Sequence, residues 1–193
     1  MANKLHTPKF RVSFPSVFEA TQINGQGKSK YRITMLFDLA EIAKDPAEQA
    51  RWDAIKAELD PTLLKKFGSI PADYAKPFID GNTMKKAETG VIYEGHEGMV
   101  VVRAASEDRP GLVDQNVQPI MDQSDFYGGC YARATVNMFA WEYMNKKGVS
   151  VGIQNIQKLA DGETFSGKTK AEDDFAAVAQ VEAVAATDNS LFE

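Results

Sequence analysis

The sequence has little that would mark a secreted, membrane-bound or disulfide-stabilised protein. Its 193 residues include a single cysteine, Cys130, so no intramolecular disulfide can form. No run of about 18 consecutive apolar residues, the length that a membrane-spanning helix needs, occurs in the chain. The first ten residues also lack the apolar stretch of a signal peptide. These absences predict a soluble, intracellular protein with no membrane partner.

Residues that could support catalysis or hold a metal are equally scarce. The two histidines, His6 and His96, belong to no HExxH or other ligand-spaced pattern. The dinucleotide-binding pattern GxGxxG is absent. Cys130 stands among small apolar residues, which is typical of a buried structural thiol and not of a nucleophile. We therefore expect no catalytic residue, no metal and no cofactor, and predict that the protein is not an enzyme.

The formal net charge of −5 is distributed unevenly along the chain. Residues 171–193 carry six carboxylates and no Lys or Arg, which leaves residues 1–170 with a net charge of +1. Such asymmetry is typical of proteins that bind nucleic acid or a partner protein. The end of the chain also shows no helix caps or strand alternation. We predict one folded domain over residues 1–168 and a flexible acidic tail over residues 169–193.

Hydrophobic periodicity predicts a mainly β domain with a helical insertion. In the first strand Phe10, Val12 and Phe14 share one face, and Pro15 indicates an edge position or a bulge. A capping pattern starting at Asp45 begins the helical section. Five segments have the alternation or apolar run of strands: Phe10–Ala20, Lys30–Asp38, Met99–Ser106, Tyr131–Tyr143 and Val149–Lys158.

These elements together favour one closed architecture. The first two strands should form a hairpin through a loop over Ile23–Lys30, and the last two a hairpin through a tight turn at Asn145–Gly148. A change of apolar phase after Gly152 indicates a bulge in the last strand. We expect a five-stranded OB-type antiparallel barrel, although a β-sandwich fits the same pattern nearly as well.

The longest strand signal, CYARATVNMFAWEY at residues 130–143, has two unlike faces. One face carries small apolar residues: Cys130, Ala132, Ala134, Val136, Met138 and Ala140. The other face carries Tyr131, Arg133, Thr135, Asn137, Phe139, Trp141 and Tyr143. Single-stranded nucleic acid is bound by rings on which bases stack and by cations that contact phosphates. The second face therefore predicts a nucleic-acid interface, while core packing under a covering layer is the alternative, above all for Phe139.

The predicted interface adds cations and one more ring from neighbouring segments. Arg133 is hard to explain in a core without an acidic partner, which favours a contact with phosphate or base. For each lysine, a solvated surface position is the alternative. The candidate DNA-binding residues are Lys30, Arg32, Lys85, Lys86, Arg103, Tyr127, Tyr131, Arg133, Phe139, Trp141, Tyr143, Lys146 and Lys147.

The acidic tail ends in DNSLFE, where an apolar pair stands among carboxylates. Such a pair has no core to join within a flexible segment. It could dock in a basic, apolar pocket of a partner or compete with DNA for the cationic groove of the domain itself. The candidate tail-docking residues are Asp188, Leu191 and Phe192, and a frayed end without function is the alternative.

Several of these segments, in the same order, resemble the phage-encoded single-stranded DNA-binding proteins of OB fold from tailed phages of enterobacteria. The strongest similarity lies in residues 126–163, from FYGGCYARA to IQNIQKLADGE. Weaker matches are FPSVFEAT near the start, then KPFIDG, YEGHEGMVVVRA and RPGLVD. The resemblance spans most of residues 10–165.

The resemblance implies an OB barrel that coats single-stranded DNA without sequence preference in phage replication or recombination, in the host cell cytoplasm. The acidic tail is similar to the tails of other replicative single-strand binders, which implies partners such as a polymerase, helicase or nuclease. In this chain Glu193 follows Phe192, so the aromatic residue is penultimate and not last. The alternative function is a phage structural or assembly protein that buries the aromatic face against another subunit.

Overall fold

A computed structural model describes residues 4–23 and 25–165 of the chain. The predicted tail, residues 169–193, lies outside the described residues. Eight strands form one sheet: β1 (Leu5–His6), β2 (Phe10–Ile23), β3 (Gln26–Phe37), β4 (Phe78–Asp80), β5 (Val100–Ser106), β6 (Gly111–Val113), β7 (Tyr131–Tyr143) and β8 (Lys146–Ala160). Three α-helices lie between β3 and β4: α1 (Leu39–Ile42), α2 (Pro46–Ala57) and α3 (Leu59–Phe67). The prediction of a mainly β fold with a helical insertion is confirmed.

The five longest strands pair in a continuous cycle. The strand β2 pairs with β3, β3 with β5, β5 with β8, β8 with β7, and β7 again with β2. All these pairs are antiparallel except β5–β8, which is parallel, so the prediction of a wholly antiparallel sheet is wrong at this pair. The short strands β1, β4 and β6 pair alongside β7, β5 and β8 respectively. Each of the five strands thus has one face towards a common core and one outer face.

The core is built from the alternate apolar residues of the cycle. Removing these side chains from water contributes roughly 25 cal/mol for each Å² of apolar surface buried. Helix α2 adds Trp52, whose ring centroid lies 5.0 Å from that of Phe37 and 5.3 Å from that of Phe78. Buried side chains of the main cluster include Phe10, Val12, Ile33, Met35, Phe37, Val102, Ala104, Ala132, Ala134, Val136, Val151, Ile153 and Ile156.

Helix α2 begins at the predicted capping pattern, whereas α1, capped by Asp38, begins earlier than the sequence indicated. The Asp45 carboxylate caps α2 by accepting from the backbone N–H groups of Ala47 and Glu48, at 2.8 and 3.4 Å. Gly68 follows α3 in a left-handed conformation with φ of 72°, which ends the helix. Apolar side chains of α3 pack with Val149 of β8 in a satellite cluster. The helical insertion therefore covers the core side of the β7–β8 hairpin.

Two predicted details of the strands differ from the structure. Phe14 is not on the core side with Phe10 and Val12; its φ is 44° and its side chain is 53% exposed. The cause is a register shift between Ser13 and Ser16, which confirms the bulge predicted at Pro15 but turns Phe14 outward. The predicted loop over Ile23–Lys30 is also shorter, because β3 begins at Gln26.

The final hairpin also turns earlier than the sequence suggested. The turn consists of Met144 and Asn145, which both have positive φ, at 47° and 63°. Lys146, Lys147 and Gly148 are already part of β8. Two consecutive left-handed residues match the right-handed twist of a hairpin. The predicted bulge in β8 is confirmed, since the register shifts by one residue opposite Thr135 and Val136 of β7.

A second layer covers one end of the outer face. Leu36 of β3 and Val101 of β5 are paired neighbours whose side chains point away from the main core. They are buried beneath Met84, Tyr93 and other residues of the connection between β4 and β5. Further along the same strands the outer face is not covered in this way, and the candidate interface lies there.

Candidate nucleic-acid interface

Cross-strand register brings predicted residues from three strands onto one outer surface. Arg32 of β3 pairs with Ala105 of β5, Ala105 with Gly152 of β8, and Gly152 with Asn137 of β7. These four residues form one row across the sheet.

The adjacent row carries the second arginine and the first ring. Thr34 pairs with Arg103, and Ser150 pairs with Phe139. The parallel register of β5 and β8 places Arg103 level with Ser150, one residue before the pair Ala104 and Val151. Two guanidinium groups thus lie on neighbouring strands, with the rings of β7 on the far side of β8. We call Arg32, Arg103, Phe139, Trp141 and Tyr143 the arginine–aromatic face.

The rings of this face are accessible to solvent. Phe139 is 46% exposed and Tyr143 is 68% exposed, although both belong to a central hairpin of the sheet. Trp141 is partly buried because its indole lies across the paired Gly148 of β8. A Cβ atom on Gly148 would come within 2.4 Å of the indole Cζ2. The core-packing alternative for Phe139 does not describe its surroundings in this structure.

The residues of β8 between the rings and the arginines are small. Gly148, Ser150 and Gly152 occupy successive outward positions. The Asn137 side chain leans over Gly152, where an added Cβ would lie 2.5 Å from the Asn137 Oδ1. A low strip of small residues, over which the Trp141 and Asn137 side chains lean, therefore separates the aromatic strand from the cationic strands. Such a strip lets a flexible strand reach rings and guanidinium groups together.

The two arginines differ in their local interactions. The Arg32 guanidinium donates to the Thr21 carbonyl and to the Lys30 carbonyl, the latter at 3.1 Å, so backbone oxygens fix its position without neutralising it. Arg103 is exposed and forms no ion pair with another described residue. Lys30 lies nearby on β3, where its Nζ is 3.5 Å from the Glu107 carboxylate. Two cations are thus available to an anionic ligand.

Tyr131 and Arg133 lie elsewhere, near the opposite end of β7. Ten residues separate Tyr131 from Trp141, which corresponds to about 33 Å of extended strand. Arg133 ion-pairs with Glu48 of α2, and Glu48 also accepts from Arg51 at 2.7 Å. Glu48 is therefore the acidic partner of Arg133 that the sequence did not reveal. Arg133 helps to hold α2 on the sheet, and its contact with DNA stays a prediction.

A cleft of about 590 Å³ adjoins these two residues, between β2, β7 and the first turns of the helices. Its charges are mixed, because Asp38, Glu41, Asp45 and Glu48 line it together with four cationic side chains. Lys9 and Arg11 place their charged groups 5.5 and 5.7 Å from the Tyr131 ring centroid. These two cations were not among the candidate residues, although Lys9 and Arg11 flank Phe10 at the start of β2 in the sequence.

Tyr127 is anchored within the protein. Its hydroxyl donates to Asp161 Oδ1 at 2.9 Å, and the Gly162 carbonyl oxygen lies 3.1 Å from the same hydroxyl. Burial, followed by the neighbouring Asp161, raises the pKa of the Tyr127 phenol above its ordinary value. The Lys158 ammonium lies 5.4 Å from the ring centroid. Tyr127 thus connects the segment before β7 to the segment after β8, away from the arginine–aromatic face.

The predicted lysines are dispersed. Lys147 points to the core side of β8, where its Nζ lies 4.7 Å from the ring centroid of Phe67 in α3. Lys146 is exposed at the hairpin turn next to Tyr143, with which it pairs. Lys85 and Lys86 are exposed on the connection between β4 and β5. The structure therefore brings Lys146 near the arginine–aromatic face and places Lys147 on the other side of the sheet.

One stretch of β8 matches the spacing of a catalytic motif, and one stretch after β8 matches the spacing of a phosphate-binding motif. GVSVG, residues 148–152, has the GxSxG spacing of a hydrolase nucleophile, but it lies within the extended strand β8 and not on a strand-to-helix turn. GETFSGKT, residues 162–169, has the spacing of a phosphate-binding loop. Its Gly162 N–H is directed to the Tyr127 hydroxyl at 3.3 Å and its Phe165 N–H donates to the Gly128 carbonyl at 3.0 Å. These two donors are therefore engaged within the fold.

Other potentially reactive groups are enclosed. Cys130 is fully buried, and burial raises the pKa of its thiol. His96 is also fully buried, with Nδ1 2.9 Å from the Glu94 carbonyl oxygen. In the part of the chain that the structure describes, no group of three or more His, Cys, Asp or Glu could hold a metal ion. No helix among the described residues is long and apolar enough to cross a membrane.

Comparison with known proteins identifies the family. A family model described as "Enterobacter phage Enc34, ssDNA-binding protein" matches residues 3–185. The curated "Putative protein p50" of Acyrthosiphon pisum secondary endosymbiont phage 1 is 30% identical over 168 residues, which cover 85% of this chain and 87% of that protein. The chain belongs to the Enc34 ssDNA-binding protein family. The resemblance inferred from the sequence is confirmed.

Solved structures show the same fold at low sequence identity. The single-stranded DNA-binding protein from bacteriophage Enc34, solved in complex with ssDNA, has a TM-score of 0.69 and 18% identity, and the alignment covers 84% of this chain and 89% of that chain. The single-stranded DNA-binding protein gp2.5 encoded by bacteriophage T7 has a TM-score of 0.55 and 12% identity, with coverage of 96% and 100%.

Proposed function

We propose that this protein binds single-stranded DNA without sequence preference through the arginine–aromatic face. The observation that carries the proposal is the cross-strand register that sets Arg103 level with Phe139, and Arg32 one row away, across the low strip of β8. Bases of any sequence can stack on the rings, because every base has a flat face, while the guanidinium groups contact phosphates. The ssDNA complex of the bacteriophage Enc34 relative supports this proposal.

The domain that presents this face is an OB-type barrel in our proposal. The continuous pairing of β2, β3, β5, β8 and β7 supports closure, since no strand of the five has an unpaired edge along its whole length. Many OB folds bind oligonucleotides on the face formed by their central strands. The helical insertion then covers the core side of the β7–β8 hairpin and leaves its outer side for the ligand.

The biological setting follows from the family and remains part of the proposal. The protein acts as a non-enzymatic coat for single strands during phage DNA replication or recombination in the host cytoplasm. Its acidic tail, residues 169–193, lowers unproductive DNA affinity and recruits replication proteins such as a polymerase, helicase or nuclease through Asp188, Leu191 and Phe192. These tail residues lie outside the described part of the chain, and the charge distribution of the sequence is the support.

A fluorescence titration with oligo-dT at two salt concentrations tests the proposal. Trp141 is the partly exposed indole, so base stacking should quench it, and the affinity should fall as salt rises because bound phosphates release counterions. Trp141→Phe keeps a stacking ring but should abolish most of the quenching. Duplex DNA of equal length should bind more weakly than oligo-dT.

The same experiment separates the alternative function. A structural or assembly protein that buries Phe139 and Trp141 against another subunit would not bind oligo-dT. Absent binding, or binding that salt leaves unchanged, would reject the proposed function. Loss of DNA binding in Trp141→Ala, with self-association unchanged, would reject the structural alternative.

A further inference from the structure

Phe14 occupies a conformation that bulky residues rarely adopt. Its φ of 44° lies in the left-handed region, which is a genuine outlier for a large side chain. The bulge turns the ring out of the core and leaves it 53% exposed. Regular alternation along the strand would have buried the Phe14 ring, since Phe10 and Val12 face the core. Local strain of this kind clusters at functional sites, where the surrounding structure maintains it.

The exposed ring is nevertheless fixed by its neighbours. The Tyr93 ring packs edge-on against Phe14 with centroids 5.1 Å apart, and the His96 ring lies 5.7 Å from Phe14. Tyr93 and His96 are themselves 5.7 Å apart, and His96 is fully buried. Three rings thus form one cluster, in which Phe14 is the member that projects to solvent. A ring supported in this way is already positioned for stacking and has little mobility to lose.

The bulge lies at the edge of the arginine–aromatic face. Ser13 pairs with Thr34 and Ser16 pairs with Arg32, so Phe14 and Pro15 stand opposite the segment between Thr34 and Arg32. Thr34 in turn pairs with Arg103. The two guanidinium-bearing strands therefore lie between Phe14 on β2 and the rings on β7. Four strand spacings of about 4.8 Å separate β2 from β7 along this route, or about 19 Å.

We propose that Phe14, supported by Tyr93 and His96, is a second nucleobase-stacking site. The inference rests on the proposed function and specifies the path of the DNA, which crosses β2, β3, β5, β8 and β7 in turn. One base stacks on Phe14, the phosphates that follow contact Arg32 and Arg103, and later bases stack on Phe139 and Trp141. A nucleobase suits this site because the ring is exposed, apolar and continuous with a cationic surface.

The test compares two variants with the wild type by anisotropy, using a labelled oligo-dT long enough to cover the whole route. Phe14→Ala should weaken binding by about 5- to 150-fold at fixed salt, the range expected for the loss of one stacked base. The slope of log affinity against log salt should not change, because no cation is removed. Leu64→Ala is the matched control, since Leu64 is 47% exposed on α3, on the other side of the sheet, and should bind as the wild type does.

A second measurement places the base directly. Phe14→Trp in a Trp141→Phe background keeps a ring at both sites, and the introduced indole should be quenched by oligo-dT. This aromatic replacement also covers the case in which Phe14→Ala unfolds the domain, as checked by its thermal midpoint. Wild-type affinity in Phe14→Ala, or an unquenched indole in the tryptophan variant, would overturn the inference. If Trp141→Ala still weakens binding in that case, the proposed function stands; if wild-type protein binds no oligo-dT, the proposed function itself fails.

Discussion

The indole of Trp141 lies across Gly148, its paired residue on β8, so that a side chain of any size at Gly148 would occupy the space of the ring. The nearest indole atoms, Cζ2 and Cε2, would be 2.4 and 2.6 Å from an added Cβ. Glycine at this position therefore sets the orientation of the ring. It allows Trp141 to lie on the strand and to present its remaining surface to a ligand.

Gly148→Ala should consequently reduce DNA affinity. The methyl group would lift the indole from the strand and remove an ordered stacking surface. The free energy of oligo-dT binding should then weaken by at most roughly 1–3 kcal/mol, the contribution of one stacked base. Anisotropy titration measures the effect. Gly128→Ala is the control, because a Cβ there would meet its nearest neighbours at 3.8 and 4.0 Å, which is ordinary contact. Equal affinities for the two variants would show that the position of the Trp141 ring does not matter for binding.

Arg103→Gln should lower affinity and flatten its salt dependence. Each phosphate contact to single-stranded DNA contributes about 0.7 to the slope of log affinity against log salt, so the slope should decrease by about that amount. Titrations between 50 and 200 mM salt, a range of the kind used for such slopes, provide the measurement. Lys44→Gln removes a cation in the turn after α1 that is paired with Glu41 and should leave the slope unchanged. A slope equal to that of the wild type would remove Arg103 from the interface.

Glu48→Gln should destabilise the domain. The Glu48 carboxylate accepts from Arg51, Arg133 and the backbone N–H of Lys9, and its side chain is only 14% exposed. Weakening these charge-assisted bonds should lower the free energy of unfolding by about 1–3 kcal/mol, measured by urea denaturation. Glu41→Gln, which affects an exposed pair on α1, is the control and should have a much smaller effect.

The same variant tests whether Arg133 can reach DNA. Without the carboxylate the Arg133 guanidinium is released, and a phosphate contact at this position would raise oligo-dT affinity. An affinity that stays at the wild-type value at all salt concentrations would assign Arg133 a structural role alone.

Stability should fall in alkaline solution in part because of Cys130. Burial raises the pKa of its thiol, so the unfolded chain loses this proton at a lower pH than the folded domain does. Between the two pKa values the folded state binds more protons, and the free energy of unfolding decreases as pH rises above about 8.5, the ordinary value for cysteine. Urea denaturation at pH 7 and pH 9.5 should show a smaller decrease for Cys130→Ala than for the wild type. An identical decrease in both proteins would exclude the thiol as its source.

Local sequence patterns predicted the five long strands and α2 well because those patterns depend on near neighbours, whereas α1 and the short strands β1, β4 and β6 were not predicted. Alternation along residues 131–143 was sufficient to identify β7 and to sort its two faces. The cap at Asp45 marked the start of α2, since a capping interaction acts within one turn. The family resemblance was also readable, because its strongest segment coincides with the β7–β8 hairpin.

The composition of the site depended on information that no local pattern carries. Glu48 and Arg133 are 85 residues apart in sequence, so their ion pair could not be read from either segment. Lys147 was grouped with the interface because the turn was placed two residues too late, and a one-residue change of register moves a side chain to the other face. Phe14 was placed on one face with Phe10 and Val12 because the bulge at Pro15 was recognised without its effect on the preceding residue.

Because Trp52 packs against Phe37 and Phe78, its surroundings are the opposite of those of Trp141. Trp52 is 6% exposed within the core, whereas Trp141 lies on the outer surface of the sheet. The natural protein thus contains one chromophore that registers unfolding and another that registers occupancy. Emission recorded during a single titration can therefore distinguish a variant that has lost its ligand from one that has lost its structure, without any attached dye.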